Sequence, residues 1–172
     1  DPDYAVWLIN DAKFYIEQNI SQVKLLLDRE NENIIGYIAL CADSIELSIK
    51  EKKIDGLKLK KEDTGAKIPK TVPALKIGKL AISIKYERQH FGAYLLWLSL
   101  AIAQEMNTMG IACRYISLDA DVSVFPTNDK FYEKYGFKYN KNVNKNRQKE
   151  LDQKEPGKKI ENISMRYDIF GG

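Results

Sequence analysis

The stretch that most narrows the fold of this chain runs from Leu80 to Leu96. Leu80, Ile82 and Ile84 alternate with Ala81, Ser83 and Lys85, the two-residue period of a β-strand. From Ala93 to Met109 the residues are nearly all helix formers, among them Leu95, Leu96, Leu98, Leu100, Ala101 and Ala103, and Gly110 supplies the stop. Arg88 to Gly92 must therefore reverse the chain and leave backbone N–H groups free at the entrance of a helix. The first N–H groups of a helix have no internal acceptor, and the helix dipole favours negative charge beside them. The turn is thus an anion site and points to a phosphate-bearing ligand. A Cβ at Gly92 would crowd a phosphate held by that backbone.

A second element follows about forty residues later. Asn128 to Phe137 reads as an amphipathic helix ended by Gly136-Phe137, with Thr127 at its N-cap. In this order, the turn and the Phe131-Tyr132-Glu133-Lys134-Tyr135-Gly136-Phe137 helix resemble the GNAT superfamily of acyl-CoA-dependent N-acetyltransferases. The family's turn, R/Q-x-x-G-x-G/A, holds the coenzyme A pyrophosphate, and its F-Y-x-x-x-G-F helix carries a tyrosine beside the thioester sulfur. The second motif matches residue for residue. Aligned on Gly92, the turn reads Glu87-Arg88-Gln89-His90-Phe91-Gly92, so Glu87 stands where the family has Arg or Gln, and His90 where it has its first Gly.

The resemblance extends to Trp7-Leu8, to Ile35-Gly36-Tyr37-Ile38-Ala39-Leu40 and to Pro73-Ala74-Leu75-Lys76-Ile77-Gly78-Lys79-Leu80-Ala81. These pieces are similar to the toxin-like GNAT enzymes of toxin–antitoxin pairs, which acetylate the amino group of aminoacyl-tRNA. The resemblance implies an α/β GNAT fold, with a mixed central sheet splayed between its two middle strands and flanked by helices. It implies acetyl-CoA as cosubstrate, an amine acceptor such as aminoacyl-tRNA, and an antitoxin protein as partner. The pantetheine arm is then expected on the strand at Leu80, Ala81 and Ile82, with a backbone N–H near Ile82 polarising the thioester carbonyl. The pyrophosphate is expected on the N–H groups from Gln89 through His90, Phe91, Gly92 and Ala93 to Tyr94. Arg88 adds charge there, and His90 is a phosphate or ribose donor or a solvent-facing turn residue. Tyr132 is the expected acid for the leaving thiolate, since a phenol titrates near a thiol; the other reading makes it a helix aromatic packed on the sheet.

At 172 residues and 44% hydrophobic, the chain suits one cored domain, spanning residues 1–172. Residues 43–70 read as an insertion outside the core and 141–159 as a polar, mobile arm. Asp3 to Asn19 reads as one amphipathic helix. A net charge of +3 permits a polyanionic partner without requiring one. The two cysteines, Cys41 and Cys113, sit in apolar runs, imply neither a metal nor a disulfide framework, and fit a reducing cytoplasm. No apolar run is long enough to span a membrane and no signal peptide is visible. The chain starts at Asp1 without an initiator Met, which reads as the loss of a few residues.

Asp43, Glu46 and Asp119 are the carboxylates nearest the expected cleft, although an α-amine with a pKa near 8 needs only water to lose its proton. Lysines at 50, 52, 53, 58, 60 and 61 form one basic cluster; Lys141, Lys145, Arg147, Lys149, Lys158 and Lys159 form another. Either holds RNA phosphates or is a solvated face, since acidic residues interleave with both. A protein amine or polyamine acceptor, and a non-catalytic coenzyme- or partner-binding domain, stay open as alternatives. Apolar residues in the first helix and last strand fit a homodimer.

Overall fold

The computed structural model describes residues 2–58, 62 and 65–171. Two short helices, α1 (Pro2–Asn10) and α2 (Ala12–Glu17), replace the single helix expected from Asp3 to Asn19. Then come β1 (Gln22–Leu27), β2 (Ile34–Glu46), α3 (Ile49–Ile54) and β3 (Thr71–Ile82). A 3₁₀ turn over Ile84–Tyr86 leads into α4 (Phe91–Thr108). The chain closes with β4 (Tyr115–Asp121), α5 (Asn128–Lys134), β5 (Lys138–Tyr139), α6 (Lys141–Lys154) and β6 (Asn162–Asp168).

The six strands form one mixed sheet in the order β1-β2-β3-β4-β6-β5. Only β3 and β4 run parallel, because α4 carries the chain back across the sheet between them. On the face covered by α4 and α5, Ile38, Leu40, Leu75, Ile77, Ile116, Leu118 and Met165 pack against Leu95, Leu96, Ala103, Tyr132 and Phe137. The opposite face is polar along its middle, carrying Cys41, Asp43, Lys76, Ser117, Asp119 and Arg166.

The described part of the expected insertion is not set apart from the core over residues 43–55. Asp43 to Glu46 complete β2, pairing with Ala74 to Thr71 of β3, and Ile45 and Leu47 are core residues. Helix α3 starts at a capping box formed by Ser48 and Glu51. It delivers Asp55, whose carboxylate is fully buried, under the sheet. There Asp55 accepts from Arg166 Nε at 2.7 Å, from the Tyr115 hydroxyl at 3.1 Å and from Lys138 Nζ at 3.3 Å. Burial opposes the Asp55 charge, but the bonds from Arg166 and Lys138 outweigh it and hold the carboxyl below its ordinary range. Residues 141–154 of the expected arm likewise form a helix. None of α6 is buried, and it docks on β6 by polar contacts: Asn144 Nδ2 to the Ser164 carbonyl and the Ser164 N–H to Asn144 Oδ1.

Candidate functional site

Strands β3 and β4 pair only from Ala74↔Tyr115 to Ile77↔Leu118, yet β3 runs on to Ile82 and β4 to Asp121. They part where Gly78 is skipped in the β2–β3 register: Ala39 faces Lys79 while Leu40 faces Ile77. Such a bulge bends its strand and increases the local twist. A salt bridge from Lys76 Nζ to Asp119 Oδ2, 2.9 Å, clamps the two strands at the fork. Beyond it lies an open slot.

The backbone on the β3 side of that slot is set by register. The Ser83 N–H donates to the Ile35 carbonyl on β2, and the Ala81 carbonyl lies 2.5 Å from the position a Cβ would take on Gly36, also on β2. Polar groups alternate sides along a strand. Those of Ala81 therefore face β2, while the N–H groups of Leu80 and Ile82 face the slot.

Past Ile82, the chain is held by Tyr86, a residue the sequence reading did not single out. Its hydroxyl donates to Asp28 Oδ2 at 2.8 Å, and its ring meets Phe91 edge-on at 6.2 Å. The only sequence sign was an aromatic amid charged neighbours. Arg88 (φ 60°) and His90 (φ 66°) both take left-handed backbone, and His90, as N-cap of α4, makes no side-chain capping bond. Tyr94 already donates its N–H to the His90 carbonyl. Among the described residues, the N–H groups of Gln89, His90, Phe91, Gly92 and Ala93 have no acceptor, so the donor run ends one residue earlier than expected. The side chains of Arg88 and His90 are exposed, and Gln89 Nε2 makes a long bond to the Lys85 carbonyl at 3.4 Å. A Cβ on Gly92 would lie 3.2 Å from the Phe131 ring, so the glycine's missing side chain lets α4 approach α5 rather than clearing the space before the turn.

Tyr132 is 7% exposed and projects from α5. Its place is fixed by the end of that helix: the Phe137 N–H donates to the Tyr132 carbonyl and the Gly136 N–H to the Glu133 carbonyl, with Gly136 at φ 88°. This is a Schellman closure, and its usual apolar contact is the Tyr132–Phe137 ring pair at 5.8 Å. The F-Y-x-x-x-G-F spacing is thereby explained. Burial pushes the Tyr132 phenol well above the ordinary tyrosine value, with the Tyr4 phenol adding to the effect. Tyr4, half-buried on α1, in turn feels Asp121 of β4. Also on α1, Trp7 lies beside Tyr4, and Lys79 Nζ of β3 is 5.1 Å from the Tyr4 ring centre and 5.3 Å from that of Trp7.

The carboxylates considered as bases are committed elsewhere. Asp43 accepts from the Ser117 hydroxyl at 2.6 Å, and Glu46 pairs with Lys70 at 3.0 Å. Asp119 binds both Lys76 and Arg147; burial would raise its pKa, but these two bonds outweigh it and lower it. The basic clusters also separate. Lys52 is buried and donates to the carbonyls of Pro69 and Lys70, while Lys60, Lys61 and Asp63 lie outside the described residues. Arg147, Lys158 and Lys159 border a groove beside Asp119.

No known family profile and no curated protein sequence matches the chain. In fold it is similar to AtaT complexed with acetyl-methionyl-tRNAfMet, with a TM-score of 0.68, 16% identity, and coverage of 98% of this chain and 82% of that one. The chain has the GNAT fold. Other structures with this likeness are AtaTR bound with AcCoA (TM-score 0.66, 16% identity, coverage 98% and 82%) and a Tyr-to-Phe mutant of KacT (0.67, 14%, 98% and 83%). AtaT is also known bound to the C-terminus of the antitoxin AtaR. In this GNAT fold, among the described residues, no helix is long and apolar enough to cross a membrane.

Proposed function

We propose that the chain is an acetyl-CoA-dependent N-acetyltransferase whose acceptor is the amino group of an aminoacyl-tRNA. One observation carries the reading: β3 and β4 part after Ile77↔Leu118 and leave the N–H groups of Leu80 and Ile82 facing the gap. The residues present fit the cosubstrate. The N–H groups of Gln89 to Ala93, at the positive end of an 18-residue helix, suit its pyrophosphate, and the β3 edge at Leu80 and Ile82 suits the amides of its pantetheine arm. Acetyl-CoA supplies the acetyl thioester.

The slot-facing N–H of Ile82 polarises the thioester carbonyl and stabilises charge that develops on its oxygen. The acceptor amine loses its proton to solvent, since Asp43, Glu46 and Asp119 are already engaged, and then attacks directly. Tyr132 protonates the departing thiolate, and the second proton shed by the attacking nitrogen, through solvent, restores the phenol. Its raised pKa keeps the phenol neutral across the working pH range, and the burial that raises it also raises the basicity of a thiolate in the same place. An antitoxin partner, by analogy with AtaR and AtaT, fits the same reading.

The test is titration calorimetry with acetyl-CoA, followed by transfer of labelled acetyl from it to charged tRNA, uncharged tRNA and spermidine. The reading requires that acetyl-CoA binds and that label appears on charged tRNA alone. Label on spermidine alone would make the acceptor a polyamine. Coenzyme binding without transfer to any amine would make the domain non-catalytic.

A further inference from the structure

Between α6 and the lead into β6 lies a groove of about 540 Å³, bordered by Asp119, Arg147, Leu151, Lys154, Lys159 and Ile160, with Glu150, Lys158, Glu161 and Asn162. That volume is nucleotide-sized. Asp119, which Lys76 clamps at the fork of β3 and β4, is part of its lining, so the groove adjoins the place where the slot begins.

The charges in the groove are of two kinds. Arg147 is committed to Asp119 at 2.6 Å, and Lys158 to Glu155 and Glu161 at 3.2 and 3.6 Å. Lys154 and Lys159 have no carboxylate partner among the described residues, and against them stands one uncommitted carboxylate, Glu150. Leu151 and Ile160 give the groove an apolar portion between charged rims. Ammonium groups on the rim and an aliphatic floor suit an unpaired nucleotide, with the phosphates on the lysines and the base against the floor. A small amine would leave this groove empty.

We infer that the α6–β6 groove is a phosphate-binding track for the single-stranded end of an RNA acceptor, with Lys154 and Lys159 as its anchoring cations. The inference rests on the aminoacyl-tRNA reading, of which it gives the route by which RNA approaches the slot. Arg147 is the inner member of the track: held by Asp119 in the free protein, its guanidinium lies beside the groove, where an arriving phosphate competes with that carboxylate.

The experiment measures anisotropy of a fluorescein-labelled single-stranded RNA dodecamer against salt, alongside acetyl transfer to aminoacyl-tRNA. Lys154→Glu/Lys159→Glu is expected to weaken RNA binding roughly tenfold at about 50 mM salt and to flatten the log K–log salt slope by about 1.4, two single-strand contacts. Glu150→Gln is expected to tighten binding about twofold. Acetyl-CoA affinity stays unchanged in both variants, which also reports that they are folded. RNA binding lost in the double variant, with no transfer to aminoacyl-tRNA by the wild type, upholds the groove and defeats the acceptor reading. Transfer to aminoacyl-tRNA with an unchanged KM in the double variant does the reverse. A wild type that binds no RNA but does bind an acidic peptide in the groove overturns the inference in favour of a protein partner.

Discussion

The slot between β3 and β4 and the buried cluster under α3 are both polar sites inside the same sheet, built by opposite means. The slot and the turn beyond it are made of backbone: N–H groups of Leu80 and Ile82 turned toward the gap, and, at the entrance to α4, five N–H groups without an acceptor among the described residues. The cluster is made of side chains, with Asp55, Arg166 and Tyr115 satisfying one another out of water and Lys138, half exposed, reaching Asp55 from the surface. Backbone sites tolerate side-chain change as long as the chain's path is kept; side-chain clusters do not. Substitutions at the two should therefore separate activity from stability.

The largest expected effect lies in the cluster. Asp55→Ala leaves Arg166, 2% exposed, without its carboxylate, and removing one partner of a buried ion pair costs about 3–5 kcal/mol. Urea unfolding should show that loss as a shifted midpoint. A shift under about 1 kcal/mol would mean that Glu51, 3.8 Å from Arg166, takes over the charge, and the contrast between the two regions would weaken.

Backbone chemistry is tested by Ile82→Pro. The Ile82 N–H faces the slot, not β2, so proline removes a donor without removing a bond of the β2–β3 ladder. Deleting one such donor typically lowers kcat by about 10²–10³-fold. Transfer assays should show that drop with an unchanged circular dichroism spectrum, whereas Ile82→Ala should act nearly as wild type. Equal losses in both variants would mean that the Ile82 side chain matters and the slot is not a backbone device.

Tyr132→Phe comes next. Loss of a general acid costs about 10²-fold in kcat, here with little change in stability, because the ring contacts with Phe131 and Phe137 remain. The pH profile sharpens the test. A free amine accumulates as pH rises through about 8, so the rate climbs there. The phenol's pKa is raised, so its proton is still present at the pH, about 10, where an ordinary tyrosine loses it. Wild-type activity should therefore hold on the alkaline side; a fall near the ordinary tyrosine value would show that the titrating acid is not Tyr132.

The same contrast explains what was legible in the sequence. The strand–turn–helix at Leu80–Leu96 and the Phe131–Phe137 helix were readable because each is a local device: period-two alternation, a helix entrance, and a Schellman end whose Gly and Phe are fixed by backbone geometry; the alternation overran the strand, which stops at Ile82 and leaves Ile84 exposed in the 3₁₀ turn. The α3 region was misread because Glu51, Lys52 and Asp55 look solvated one at a time: the partners of Asp55, at 115, 138 and 166, lie 60 to 111 positions away, and Lys52 is satisfied by the carbonyls of Pro69 and Lys70. Helix α6 was misread for the related reason that it lacks an apolar face; its Asn side chains dock it through hydrogen bonds that no hydropathy pattern records. The slot itself depends on where two ladders stop, a fact of register.

The smallest expected effect bears on the least family-like residue of the turn. His90 sits at φ 66° without a capping bond, a conformation that costs a side-chain-bearing residue about 1–2 kcal/mol. His90→Gly removes that cost, and the extra freedom glycine has in the unfolded chain returns about 0.5–1 kcal/mol of it. The net expectation is a gain of about 0.5–1 kcal/mol, read as a higher melting temperature. Acetyl-CoA affinity then decides what the imidazole does. An affinity within about twofold of wild type makes the turn a pure backbone site, like the slot. A loss of about tenfold, near the 1.4 kcal/mol of one hydrogen bond to a charged group, makes His90 a side-chain donor to the phosphate and the turn a hybrid of the two designs.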